Sequence, residues 1–372
     1  MANTNKPPGV GESPAGRIHD LLRPEVLEAF DRTAFERDGY WVWEGILTDA
    51  GREQWTASLD KLQAMCDAMI MDTDWAAIDY AARGLQPPPP ETLSTEYKRK
   101  CCGGKKLGLL IPNDLRIYMH DHGLFGPEPS LVTRGFESQG LMPEHFAPAY
   151  DEFILDVATA HPQMMELFAK LFGPRFVLDH IIMLNRAPGN QGSGWHAHPY
   201  RNAQYEVEDP IGTGNAATPE FLERQCVRTL VHTEGATREE GGQLGVIPGA
   251  HLYRIPYKWS TARPDHDEDL RSGWLQGKTH PRTGAPLQMI HLSLPPGSMV
   301  SFVHHMPHHV GPRHPNAPTR RTLLMAYRTP DPQAEPARWS EGVPLQWVER
   351  QAATGRLSPA AKRVFAGDNP IP

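Results

Sequence analysis

The sequence predicts a mainly β protein with flanking helices, its core a two-sheet jelly roll of the double-stranded β-helix, cupin-like kind. Three observations carry that expectation. Short apolar runs recur between residues 176 and 327, each bounded by Gly or Pro. Long stretches of helical periodicity are confined to the first half of the chain. The 37 prolines among 372 residues argue for a loop-rich fold over a helical bundle.

Taken in order, residues 1–16 are rich in Pro, Gly, Ser and Asn and hold few large apolar groups, so a flexible tail is expected there. Residues 17–172 read as an N-terminal region of helix and strand. A helix end at Phe35, a turn at Gly39 and a strand alternating about Tyr40, Val42 and Glu44 open it. Thr48 is placed to cap a helix in which Trp55, Leu59, Leu62, Cys66 and Met69 recur at intervals of three or four. Residues from about 83 to 145 hold Pro87 to Pro90 and Cys101-Cys102-Gly103-Gly104 with little apolar periodicity. They read as an insertion, either covering a site or making a surface excursion. One helix over 149–172 follows, stopped by Gly173-Pro174.

The β core is expected over 173–330. Strands are predicted at 176–178, 181–184, 225–232, 243–247, 288–294, 299–303 and 322–327, with a polar insertion at about 260–286. Residues 331–372 read as a Pro-rich, partly helical C-terminal arm.

Charge and composition exclude several classes. A formal net charge of −7, from 37 Lys+Arg against 44 Asp+Glu, with no basic block, speaks against a nucleic-acid partner. Lys98-Arg99-Lys100 and Lys105-Lys106 read as a solvated loop, able at most to attract one anionic group. No apolar run approaches the roughly 18 residues of a membrane span, and the N-terminus lacks a signal-peptide layout, so a cytoplasmic protein is expected. Cys66, Cys101, Cys102 and Cys226 have neither CxxC spacing nor a disulfide framework, and are read as reduced thiols.

The chemistry concentrates in two stretches. Gly194 to Tyr200 reads Gly-Trp-His-Ala-His-Pro-Tyr, and Gly297 to Arg321 carries His304, His305, His308, His309 and His314 before the pair Arg320-Arg321. Imidazoles two residues apart on a strand share a face, and a third from a distant strand can complete a three-point metal site. Adjacent arginines on a strand face opposite ways, so only one of the pair can serve the same site.

Together these stretches resemble the phytanoyl-CoA dioxygenase family of non-haem iron, 2-oxoglutarate-dependent oxygenases. That family's pattern is Trp-His-x-Asp, a Gly-x-Leu-x-x-x-Pro-Gly-Ser-His segment, then a distal His and an Arg. Here Trp195-His196-Ala197, Gly242 to His251, His308 and Arg320 match it. The resemblance implies iron(II) held by His196, His198 and His308, with His309 the alternative distal ligand. It also implies 2-oxoglutarate whose distal carboxylate meets Arg320, dioxygen, and a small organic substrate. Arg321 is then a surface charge. Pro248-Gly249 makes a tight turn, and His251 caps or packs. His304 and His305 either line the pocket or face solvent at a strand end.

One position departs from the pattern: His198 stands where the family has Asp. Three readings stay open: a three-His site that still binds a metal and a chelating 2-oxo acid, a His198 turned away to leave an open position, or a silent site. Glu206, Glu208 and Asp209 follow closely enough to supply a carboxylate instead. The corresponding alternatives are a three-His iron dioxygenase independent of 2-oxoglutarate, with Arg320 binding substrate, and a metal- or ligand-binding protein without turnover. A zinc hydrolase would need a carboxylate base near Trp195. Trp41, Tyr118, Tyr200 and Trp259 are candidates either for a pocket wall or for the core.

Overall fold

A computed structural model of the chain describes residues 18, 20–72, 74–77, 79, 81, 90, 94–103, 151–197, 226–253 and 267–329. Helices α1 (Pro24–Glu28) and α2 (Arg32–Asp38), strand β1 (Tyr40–Trp43) and helices α3 (Asp49–Asp72), α4 (Thr95–Cys101), α5 (Glu152–Thr159) and α6 (Pro162–Phe172) come first. Strands β2 (Val177–Met183), β3 (Ser193–His196), β4 (Cys226–His232) and β5 (Leu244–Val246) follow, then α7 (Asp267–Ser272), β6 (Ile290–Leu292), β7 (Ser298–Val303), β8 (His308–Val310) and β9 (Thr322–Arg328). They form a five-stranded sheet in the order β1-β7-β4-β9-β2 and a four-stranded sheet in the order β3-β8-β5-β6. All the strand pairings among the described residues are antiparallel. This is the two-sheet jelly roll with flanking helices that the sequence predicts.

Both faces of the large sheet are covered, which is why β4 and β9 read as nearly continuous apolar runs. Val227, Val231, Leu323, Met325 and Tyr327 pack with Trp55, Leu59 and Leu62 of α3 and with Val157, Leu167 and Phe168 of α5 and α6. The alternate residues Leu230, Leu324 and Ala326 turn to the other side and meet Leu244, Val246 and Leu292 of the small sheet. On the far side of the small sheet, Trp195, Ile247 and Ala250 are covered by Leu270, Trp274, Leu275 and Leu287. The described part of the 260–286 segment thus carries apolar cover as well as polar turns.

Local chemistry sets the helix limits. Thr48 caps α3, its Oγ1 accepting from the Gly51 N–H at 3.1 Å, and Trp55, Leu59, Leu62 and Cys66 are fully buried along one face. The single helix expected over 149–172 is instead the pair α5 and α6. His161 is extended (φ −67, ψ 123) and Pro162 occupies the first turn of α6. The proline ring disfavours the helical conformation at the residue before it, so the chain must break there and restart. Asp151 caps α5 by accepting from the Ile154 N–H at 3.0 Å. The Tyr327 phenol donates to the Ala158 carbonyl, tying β9 to the helices.

Two further expectations change. Lys98, Arg99 and Lys100 lie in the last turn of α4, not in a loop, where basic groups complement the helix dipole, and Lys100 pairs with Glu96 at 2.7 Å. Strand β8, three residues between Pro307 and Gly311, is too short for its period to be visible in sequence. Among the described residues, Cys66, Cys102 and Cys226 are thiols outside any disulfide. Among the described residues, no helix is long and apolar enough to cross a membrane.

Gly39 ends α2 in the left-handed conformation (φ 81), and a Cβ there would fall on the ring of His251. His251 packs, as one of its expected roles, with Nε2 3.1 Å from the Glu36 carbonyl. Burial pushes its pKa down from 6.5 to about 3, against the opposing pull of the Glu36 hydrogen bond. Between those two values the unfolded chain binds a proton at position 251 that the folded chain does not. Stability therefore falls as pH drops through this window, by up to about 1.4 kcal/mol per pH unit. Denaturant melts from pH 6.5 to 4 should show a shallower acid slope for His251→Gln than for wild type, from a lower starting stability.

Candidate functional site

Strands β3 and β8 pair with His196 directly opposite His308, so the two side chains share one face. Their ring centroids are 4.3 Å apart. His196 Nδ1 lies 2.8 Å from the Gly194 carbonyl and His308 Nδ1 lies 2.7 Å from the Met306 carbonyl. A carbonyl only accepts, so both Nδ1 atoms carry a proton, and Nε2 is the nitrogen through which either ring would meet a metal. Backbone carbonyls fix ligating imidazoles in just this way at metal centres. The shared face points between the sheets, where the Phe302 ring lies 4.8 Å from His308. Burial, then the nearby His196 and Arg228 charges, holds the His308 pKa well below 6.5, so the ring stays a neutral donor of its lone pair.

His198, the third expected ligand, lies outside the described residues, as do Glu206, Glu208, Asp209, Tyr118, Tyr200 and Trp259. Trp41 is packed against the helical core beside Phe30 and Trp43. His305 is buried with Nε2 3.1 Å from the Tyr253 carbonyl. His304 Nδ1 accepts from Arg228 Nε at 3.0 Å.

A second feature occupies the same inter-sheet space. Arg320 pairs through its backbone with Arg186 just before β9, and its side chain is only 2% exposed. It donates to the Gly242 carbonyl, while its Nε is buried without a partner. Burial first, then the charges of Arg186 and Arg313, pushes its pKa down to about 9. His232, opposite Thr322 in register, is buried with neither ring nitrogen partnered, and burial beside Arg320 and Arg186 keeps it neutral. Arg186 donates to Asn190 Oδ1 at 3.3 Å, and Arg313 donates to the carbonyls of Gly241 and Pro318 and lies 3.6 Å from Glu240. Three guanidiniums thus lie buried near one another, with the charges of Glu234 and Glu240 opposing them.

Arg321 faces the other way, as strand alternation requires, but it is more than a free surface charge. It donates to Asp60 on α3 and to Glu234, the latter at 2.7 Å.

Arg228, Arg186, Arg313 and His232 escaped the sequence reading. The visible signal was a cation or imidazole within an otherwise apolar strand, as in Cys-Val-Arg-Thr-Leu-Val-His at 226–232. Arg228 and His232 lie on one face of β4, roughly 13 Å apart along the strand by its rise per residue. Arg228 stands opposite Phe302 beside His308, and His232 stands beside Arg320. The imidazole pair and the cationic pocket therefore mark two ends of one interior face.

His309, the alternative distal ligand, is turned to the opposite face of β8 from His308. There it stacks on Trp195 with centroids 4.2 Å apart. Burial, then the charge of His291, takes its pKa down to about 4. Among the described residues, Asp267, His291 and His309 are the group whose three donor atoms lie close enough to hold a metal ion.

No protein-family profile matches the chain, and no curated protein matches it. Solved structures do. The chain is similar to EctD from S. alaskensis, solved with 2-oxoglutarate and 5-hydroxyectoine (17% identity, TM-score 0.41, covering 91% of this chain and 85% of that one). It is also similar to SnoK, a non-heme alpha-ketoglutarate-dependent carbocyclase from nogalamycin biosynthesis (13% identity, TM-score 0.41, 90% and 93%). Against EvdMO1 the overlap spans 46% of this chain and 31% of that one, at 18% identity and a TM-score of 0.29. The overlaps are loose, and the fold stands on the two sheets themselves.

A buried guanidinium without an anion destabilises the chain that carries it. Arg320→Met should therefore raise the stability of the ligand-free protein by about 1–4 kcal/mol in urea melts.

Proposed function

We propose that this protein is a non-haem iron, 2-oxoglutarate-dependent oxygenase acting on a small organic metabolite. The observation that carries the reading is the buried, unpartnered Nε of Arg320 on the same interior face as the His196–His308 pair. The donors fit both groups. Two imidazoles of which each can offer Nε2 suit iron(II), and the cationic pocket suits a carboxylate. The motif resemblance to the phytanoyl-CoA dioxygenase family supports the same assignment and adds His198 as third ligand.

Bound iron, with 2-oxoglutarate and dioxygen, would supply oxidation of an unactivated C–H bond, releasing succinate and carbon dioxide. The chain's own residues do the rest. His196 and His308 hold the metal, with Gly194 and Met306 fixing each ring's tautomer. Arg320 takes the distal carboxylate as a two-point donor, and Arg186 and His232 stand beside it. The apolar wall of Phe302, Leu230, Leu244 and Leu324 between the sheets keeps water away from the reacting centre.

The test is anaerobic titration of apoprotein with iron(II) and then 2-oxoglutarate, following the weak visible charge-transfer band of a chelated keto acid. The band should require both components, and Arg320→Ala should weaken 2-oxoglutarate binding about 100-fold or more, as expected for truncating one partner of a buried charge pair. Iron uptake without a band at any keto-acid concentration would sink the co-substrate reading. It would favour the three-His dioxygenase, for which His198 in place of a carboxylate is the observation.

A further inference from the structure

The cluster on the outer face of the small sheet lies outside that reading and does not depend on it. Gly245 on β5 stands in register with His291 on β6 and with His309 on β8, so the two imidazoles flank it on one face. Because Gly245 has no side chain, the rings close over it; a Cβ there would fall on the His309 ring and lie 3.0 Å from Trp195 Cη2. His291 Nε2 and His309 Nε2 are 2.8 Å apart, and Asp267 Oδ2 is 3.6 Å from His291 Nε2. All three donor atoms lie within 4.8 Å of one another.

Trp195 holds this arrangement in two ways. Its indole N–H donates to Asp267 Oδ1 at 2.7 Å, leaving Oδ2 free to ligate, and its ring stacks on His309 with an interplanar angle of 20°. Such an outer contact is what orients a metal-binding carboxylate. His309 is 3% exposed, whereas the side chains of His291 and Asp267 are 34% and 30% exposed. An ion could enter from that open side and keep water as its remaining ligand.

The two Nε2 atoms already face each other, and the buried Nδ1 of His309 has no hydrogen-bond partner. Zinc–nitrogen bonds of about 2.0–2.1 Å at a tetrahedral angle would set the two nitrogens about 3.3 Å apart. The rings need part by only about half an ångström, and His291 sits on the edge strand of its sheet, free to make that adjustment.

We propose that Asp267, His291 and His309 form a second metal site, for a zinc-class divalent ion, distinct from the inner His196–His308 pair. Two imidazoles, one carboxylate and an open position are a donor set that borderline transition-metal ions accept and that calcium or magnesium does not favour. The ion ties α7, with the cover of Trp274 and Leu275 behind it, to the strand that carries His308.

The experiment is metal stoichiometry on the full chain, stripped with a chelator and titrated separately with zinc(II) and cobalt(II). Wild type is compared with His196→Ala, His291→Ala and the same-sized Asp267→Asn. Two ions are expected per wild-type chain and one in His291→Ala. Asp267→Asn should bind one of the two at least tenfold more weakly, and Trp195→Phe should weaken the same ion by about 10–100-fold. The iron and keto-acid band should persist in His291→Ala and vanish in His196→Ala. Unchanged stoichiometry and affinity in both His291→Ala and Asp267→Asn would reduce the cluster to a hydrogen-bonded packing device and overturn the proposal. Loss of the band in those two variants but not in His196→Ala would make this the catalytic ion, overturning the proposal and the inner-pair assignment together. A wild-type chain with no band but with His291-dependent zinc uptake would sustain the second site and strike only the co-substrate reading.

Discussion

The backbone pairing of β3 with β8 is the constraint from which the rest of the site follows. Once His196 stands opposite His308, strand alternation leaves each neighbour no choice of side: Trp195 and His309 must meet on the outside as the two imidazoles meet on the inside. The same short strands thus carry two sets of nitrogen donors back to back. The hydrogen-bonded ladder places both sets, and the carbonyls of Gly194 and Met306 also hold the rings of the inner pair.

The interior between the sheets is apolar in its middle and ionic at its ends. Leu230, Leu244, Val246, Leu324 and Ala326 would make an ordinary sandwich core. Arg186, Arg313 and Arg320 would not, since each loses hydration on burial, and Arg320 gains a backbone carbonyl rather than a carboxylate in return. A fold that buries three such groups together sacrifices stability in the absence of a counter-charge.

Much of this was legible from residue order. Gly-Pro punctuation and short apolar runs indicated the jelly roll, and Thr48 ahead of an apolar face indicated α3 and its cap. The family resemblance singled out His196, His198, His308 and Arg320, and strand alternation implied that Arg320 and Arg321 face opposite ways. What could not be read depends on contacts made across the sheet. Pro162 breaks a helix whose apolar period runs straight through the break. Strand β8 is shorter than a single alternation test requires. Arg186, Arg313 and His232 become an anion pocket only when β2, the turn after β8 and β4 are brought together, and Asp267 joins His291 and His309 only because Trp195 reaches out to it. None of these partners is near another in the chain, and the one local signal, an imidazole in the apolar strand at 226–232, does not say what His232 meets.

The paired arginines at the head of β9 carry a further implication for folding. Arg320 belongs in the buried interior against the Gly242 carbonyl, whereas Arg321 belongs outside against Asp60 and Glu234. Sliding β9 by one residue would exchange them, stranding Arg321 away from both carboxylates and pushing Tyr327 and Leu323 out of the helical core. Each arginine is tolerable in one alignment only. The doublet therefore acts as a register lock on the central sheet, rejecting the slipped pairing before any ligand is present.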